Sequence, residues 1–324
     1  APDFSWESLF NGTLFEEFDK YTLDQFAFRD TFRRIKAAGS HYLFRQKDNG
    51  DLYMADGHIG KMSYPLNEKA VKNASAKLNE VYRRYLRGKN VSYAVIPDKN
   101  YFLAEKNGYL AMDYDRMLKI LRADVENMKE IRLFDSLTIE DYYRTDIHWR
   151  QERLSKVADK LLQGMGNEAR TAGMQYEDRE LYPFYGSLYG QAARKVKPET
   201  LVYLTNSERE NDIVYDYETK SNIKSYEPEK FEGMDPYDVY LSGAKSLLKI
   251  TNPSATVDKK LILFRDSFGS SIAPLLVAGY SEITLVDLRY IATDILDQYI
   301  DFSGEQDVLF LYNTEILNKG YLLK

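Results

Sequence analysis

The chain has 324 residues, of which 44% are hydrophobic and 29% charged, and its formal net charge is -6. It contains no Cys, which excludes a disulfide framework, a thiolate nucleophile, an iron–sulfur cluster and a Cys-based zinc site; with only 3 His, a His-rich metal cage is not expected either. The acidic balance argues against a nucleic-acid partner, and no apolar run approaches the roughly 18 residues of a transmembrane helix.

The chain starts Ala-Pro-Asp without the charged and apolar regions of a signal peptide. The expectation is an exported protein whose leader has been removed. Thr22 to Ala38, within an N-terminal extension over residues 1–40, offers Phe26, Phe28, Phe32 and Ile35 to one face of an amphipathic helix. "HYLFRQKDNGDLYMADGHIG" reads as a hairpin around Asn49-Gly50, with His58 in a turn remote from the rest. Asn67 to Leu86 is a helix carrying Val71, Leu78, Val81, Tyr82 and Tyr85, closed by Gly88. Strand and helix then alternate: "VSYAVI" ending at Pro97, helical "DYDRMLKILRADVENMK", strand "IRLFDS" and helical "QERLSKVADKLLQGMG".

From about residue 178 to 251 the pattern changes to Tyr-rich alternating strands, "ETLVYL", "NDIVYDYET" and "DVYLS". The tail returns to strand "KLILF", helix "SSIAPLLVAG", strand "EITLVD", helix "ATDILDQYI" and strand "DVLFLYN". Fully apolar strands alternating with helices indicate a mostly parallel sheet covered on both faces. The reading is a single α/β domain over residues 1–324, interrupted by a β-rich insertion.

Parallel sheets place their sites at the carboxyl ends of the strands. In "KLILFRDSFGSSIAPLL" a strand ends at Phe264, and Ser267 falls in a tight turn before a helix whose positive end would face its hydroxyl. Asp266 or Ser267 equally suits a helix cap. In "LFDSLTIEDYYRTDIHWRQE", Asp146 and His148 sit two apart, so the carboxylate would hold the imidazole while His148 takes a proton from a hydroxyl. A cap at Asp146 with His148 packed on Trp149 is the plainer alternative. Together the junctions supply the Ser, His and Asp of an acyl-transfer site, which needs a base because a lone serine is a poor nucleophile. "FYGSLYG" adds Gly186 and Ser187, a turn whose N–H groups suit an oxyanion or nothing at all. Arg265 and Arg289 suit an anionic substrate, a loop carboxylate or a structural ion pair.

"YYRTDIHW" and "RDSFG" resemble the DHHW family and its relatives, the alginate O-acetyltransferases of the SGNH (GDSL-type) hydrolase-like superfamily. "VIPDKNYFL", "FYGSLYG" and "LILFRDSFGSSIAPLLVAGYSEITLVDLRY" are similar to further family segments in the same order, so the resemblance runs from about Tyr42 to the C-terminus. It implies a flavodoxin-like three-layer α/β/α fold, permuted so that Asp and His precede Ser. Ser267 would be the nucleophile, His148 the base and Asp146 its partner, with no cofactor. It also implies an extracellular or cell-envelope enzyme that transfers or removes an acetyl group on a polysaccharide, with a membrane-bound acyl donor protein as a partner. Two departures stand out: Ile147 replaces the first His of the signature, and "RQERLSK" follows Trp149 in place of small residues. A non-catalytic carbohydrate-binding or assembly protein retaining the fold is the alternative.

Overall fold

The computed structural model describes residues 51–169, 171, 174–192 and 196–324; the expected helix over Thr22–Ala38 and the Asn49-Gly50 turn lie outside the described residues. The described chain opens with a hairpin, β1 (Leu52–Ala55) and β2 (His58–Lys61). Asp56 and Gly57 close it, both with positive φ (50° and 78°), as a two-residue primed turn requires. His58 therefore starts a strand rather than lying in a turn.

Asn67 caps α1 (Glu68–Val81), accepting from the Ala70 N–H at 3.0 Å. Val71, Ala74, Leu78 and Val81 repeat at helical spacing and form its buried face. β3 (Asn90–Ile96) ends at Pro97, and Asp98 caps α2 (Lys99–Leu103). α3 (Tyr114–Asp124), β4 (Lys129–Arg132) and α4 (Ser155–Gly164) follow. Then come β5 (Glu177–Phe184), α5 (Tyr189–Ala192), β6 (Glu199–Thr205), β7 (Ile213–Asp216), β8 (Ser221–Ile223) and β9 (Leu247–Thr251). The tail alternates β10 (Lys260–Arg265), α6 (Phe268–Leu276), β11 (Glu282–Val286), β12 (Asp307–Asn313) and α7 (Thr314–Leu317).

Eight strands form one sheet in the order β4-β3-β12-β10-β11-β9-β7-β8. The first five are parallel, and β9, β7 and β8 are added antiparallel. The stretch expected as an insertion over 178–251 is thus partly sheet edge: β9 pairs with β11, Ile250 opposite Ile283. Within that stretch β5 and β6 pair with each other, outside the large sheet. "DVYLS" is not a strand; Pro236–Val239 makes a 3₁₀ turn begun by Asp235, whose side chain accepts from the Tyr237 N–H. "ATDILDQYI" also winds as 3₁₀ over Thr293–Gln298.

Period-two alternation in β10 and β12 divides the core. Leu261, Leu263, Leu309 and Leu311 join one cluster with Val157, Leu161 and Leu162 of α4 and Ile272 and Leu275 of α6. Ile262, Phe264, Val308 and Phe310 join the other, with Leu78 of α1 and Met117 and Ile120 of α3. Helices therefore cover both faces of the parallel half, and every parallel strand delivers its carboxyl end to one edge. Leu263 lies between Leu285 and Leu309 and is 0% exposed. Leu263→Ala should lower unfolding stability by about 2–5 kcal/mol, read as a reduced denaturant midpoint; an unchanged midpoint would show that the core does not close around this strand.

Candidate active site

The ends of β3, β10, β11 and β12, with the loop after β4, surround a cleft of about 90 Å³. Its lining includes Asp98, Lys99 and Asn100 beyond β3, Ser267 and Phe268 beyond β10, Arg289 beyond β11, Asn313 and Ile316 at β12, and Ile147.

Ser267 sits at the junction of β10 and α6. Its own side chain makes no capping bond. Asp266 does that work instead: one carboxylate oxygen accepts from the Phe268 N–H at 3.0 Å and the other from the Asn313 N–H at 2.6 Å. The first bond caps α6 and the second ties β10 to β12. Burial raises the Asp266 pKa. The serine hydroxyl is left free for His148, whose Nε2 lies 2.7 Å from Ser267 Oγ.

His148 Nδ1 is 2.6 Å from Asp146 Oδ1, and that same oxygen accepts from the His148 backbone N–H at 2.8 Å. Asp146 Oδ2 accepts from the Ser187 N–H at 2.7 Å. Burial alone would raise Asp146, but the adjoining His148 ring and the Ser187 and His148 N–H groups outweigh it and hold the carboxyl well below the usual carboxylate range. Asp146 therefore stays an anion and acceptor, which fixes the imidazole with Nδ1 as donor and Nε2 facing the serine. Such an arrangement can draw the proton from Ser267 Oγ as the oxygen attacks an electrophile.

The imidazole is also held by its faces. Tyr237 stacks on it with ring centroids 3.8 Å apart and 5° between planes, and Phe268 leans on it at 4.8 Å. The Tyr237 hydroxyl donates to Ser271 Oγ at 2.7 Å, and the Trp149 indole N–H reaches the same oxygen at 2.9 Å. The plainer alternative is not what is observed: the ring packs on Tyr237 and Phe268, and the Asp146 oxygens go to His148 and the Ser187 N–H and cap no helix.

The other candidates separate. Gly186 and Ser187 do not offer free N–H groups: Gly186 donates to Thr145 Oγ1 at 3.0 Å and Ser187 to Asp146. The expected oxyanion turn is instead a support for the carboxylate. Arg265 is 0% exposed and meets Asp287 at 3.7 Å beneath the edge, so it cannot hold a substrate. Arg289 does line the cleft, with its guanidinium forked onto Asp287 at 2.9 and 2.6 Å. Tyr237, Lys99 and Glu199 were not legible as site residues. Lys99 is buried beside the Asp146 loop; burial pulls its pKa down to about 7 against the opposing pull of Asp146 and Glu199. Lys99 falls in "VIPDKNYFL", which the resemblance covers as a segment without giving the lysine a role.

No family model matches the sequence, and no curated protein matches it. Solved structures do. A DHHW family protein from Eubacterium siraeum aligns with a TM-score of 0.63 at 21% identity, covering 84% of this chain and 92% of that one. Bacillus cereus PatB1, solved with a sulfonyl adduct, aligns at 0.65 and 16% identity over 84% and 97%. The O-acetyltransferase domain of Pseudomonas putida AlgJ lies further off, at 0.48 and 10% identity over 82% and 92%. The chain is thus a mixed α/β protein that shares its fold with a DHHW family protein and with PatB1, and its structural neighbours match the relationship suggested by its motifs.

Gly186 tests the support for Asp146. A Cβ there would run into the Asp146 Cβ and backbone. Gly186→Ala should therefore displace Asp146 and slow sulfonyl-fluoride labelling of Ser267 by about 10²-fold, the scale expected for a misplacement near 1 Å. Labelling at the wild-type rate would mean that the turn does not set the carboxylate.

Proposed function

We propose that the protein is an SGNH-type acyltransferase or esterase with a permuted α/β/α fold, acting outside the cytoplasm on acetyl groups of a polysaccharide. The reading is carried by one observation, the hydrogen-bonded chain Ser267–His148–Asp146 opening on a cleft at the carboxyl edge of a parallel sheet. The acetyl group and the polysaccharide rest on the motif resemblance to alginate O-acetyltransferases. A membrane-bound acyl donor rests on the same resemblance.

In this mechanism Ser267 Oγ attacks the acyl carbonyl as His148 Nε2 takes the hydroxyl proton, and Asp146 stabilises the imidazolium that forms. The oxyanion lies at the start of α6, beside the Ser267 N–H and the positive end of the helix; Lys61 and Arg289 also line the cleft, paired with Glu315 and Asp287. Collapse breaks the acyl–oxygen bond, and His148 returns its proton to the leaving alcohol. A sugar hydroxyl or water then attacks the acyl-enzyme, losing its proton to His148 and restoring the serine.

Ser267→Ala should remove hydrolysis of p-nitrophenyl acetate by several powers of ten. The melting temperature should stay near that of wild type, because Asp266 and not Ser267 caps α6. A variant that still cleaves the ester would end the nucleophile reading. Wild-type protein that retains polysaccharide yet neither cleaves the ester nor labels at Ser267 would make it a binding protein.

A second test concerns charge in the cleft. Arg289→Ala should reduce turnover of an anionic acetylated sugar by about tenfold or more relative to a neutral one, through the loss of a charge-assisted contact. Equal effects on both substrates would confine Arg289 to its pairing with Asp287.

A further inference from the structure

Residues 143–146 carry the carboxylate of the site on a buried loop outside any helix or strand. Two buried side chains of opposite charge hold it from opposite polarities. Lys99 Nζ donates to the carbonyls of Tyr143, Arg144 and Asp146 at 2.8, 3.1 and 2.9 Å. In its ammonium form Lys99 has three N–H bonds, and these three acceptors use all of them. Glu199 collects the donors: it accepts from the Arg144 and Thr145 N–H groups and from the Thr145 hydroxyl, each at 2.8 Å. The remaining groups are met as well. The Ile59 N–H reaches the Arg144 carbonyl at 2.8 Å, and the Leu188 N–H the Thr145 carbonyl at 3.1 Å. Lys99 is 4% and Glu199 5% exposed.

We propose that Lys99 and Glu199 are positioning residues, a two-sided clamp that sets the Asp146 backbone and, through it, the His148 ring facing Ser267. The proposal rests on the triad reading above but is measured separately from it. The geometry explains why two charges are used. One cation satisfies three carbonyls from a single point on α2, and one anion satisfies three donors from a single point on β6. Neutral side chains of that size cannot do either. With one member gone, the loop keeps unpaired peptide groups facing a buried opposite charge, and it must shift to find partners.

The test uses Lys99→Met, Glu199→Gln and the double variant. The chain has only 3 His, so the downfield proton resonance of the His148 Nδ1–H, which reports its bond to Asp146, is readily assigned. Ser267 labelling by phenylmethylsulfonyl fluoride gives the second readout. Each single variant is expected to lose or broaden that resonance and to slow labelling by about 10²-fold. The double variant should fall no further than the worse single one, as coupled partners do. Wild-type resonance and labelling rates in both singles would overturn the proposal. So would slowed labelling with the resonance intact, since the Asp146–His148 bond would then be unaffected. Should Lys99→Met not fold, Glu199→Gln, an isosteric change, and Lys99→Arg carry the comparison under the same criteria. Wild-type protein unlabelled at Ser267 would defeat the nucleophile reading, whereas the resonance would still decide the clamp.

Discussion

A buried peptide group must find a hydrogen-bond partner, and residues 143–148 have to meet that requirement with almost no secondary structure of their own. An isolated bridge between Tyr142 and Trp149 and the bond from the Tyr143 N–H to the His148 carbonyl pin the two ends of the loop. The His148 N–H is met within the loop by Asp146, and most other partners come from other elements: from α2, from β2 and β6, and from the turn after β5. These elements are far apart in sequence, so the site exists only once the whole edge is assembled. An unpaired buried carbonyl or amide costs about 1–3 kcal/mol, which makes a partly assembled edge unstable.

The same economy of partners governs the floor of the cleft. Asp266 joins the start of α6 to Asn313, the last residue of β12, so the serine turn and its neighbouring strand move together. Asp287 holds Arg289 at the cleft and faces Arg265 below. Asp98 accepts from the Tyr114 hydroxyl at 2.7 Å and the Thr314 hydroxyl at 2.7 Å, linking α3 and α7 to the end of β3. Burial lifts Asp98 to about 6, with the charge of Glu315 adding to it. Asp266 and Asp98 each bond to two strand ends or helix starts. Rigidity at this edge comes from polar links, while the sheet behind it is held by apolar packing.

How much of this was legible follows from the range over which each signal acts. The parallel strands announce themselves locally, as in "VSYAVI" and "DVLFLYN", because a strand buried on both faces is apolar at every position. Ser267 and the Asp146–His148 pair also carry local signals, a strand end followed by a turn and a carboxylate two residues from an imidazole. Lys99 and Glu199 carry none. A lysine after Pro-Asp and a glutamate at the head of "ETLVYL" read as surface charges until the fold buries them against one loop. Tyr237 carries none either: it stands just before "DVYLS", whose alternating Val, Tyr and Leu imitate a strand, while Asp235 and Pro236 start a 3₁₀ turn there. The Gly186–Ser187 turn was seen, but its hydrogen-bond partner depends on which loop folds over it. Sequence gives a donor's existence and not its acceptor.

The stacking of Tyr237 on His148 has a dynamic consequence. With Tyr237 stacked on one face, Phe268 packed against the ring at 4.8 Å and Nδ1 bound to Asp146, the imidazole is held against swinging out of line or turning over. The Tyr237 ring is itself anchored by its hydroxyl on Ser271. Ser267, by contrast, is only half-buried and its hydroxyl is bound at one point. The mobile part of the relay is therefore a single torsion, rotation about the Cα–Cβ bond of Ser267, on the ps–ns timescale of a side-chain rotamer flip. The ring stays still while the oxygen turns.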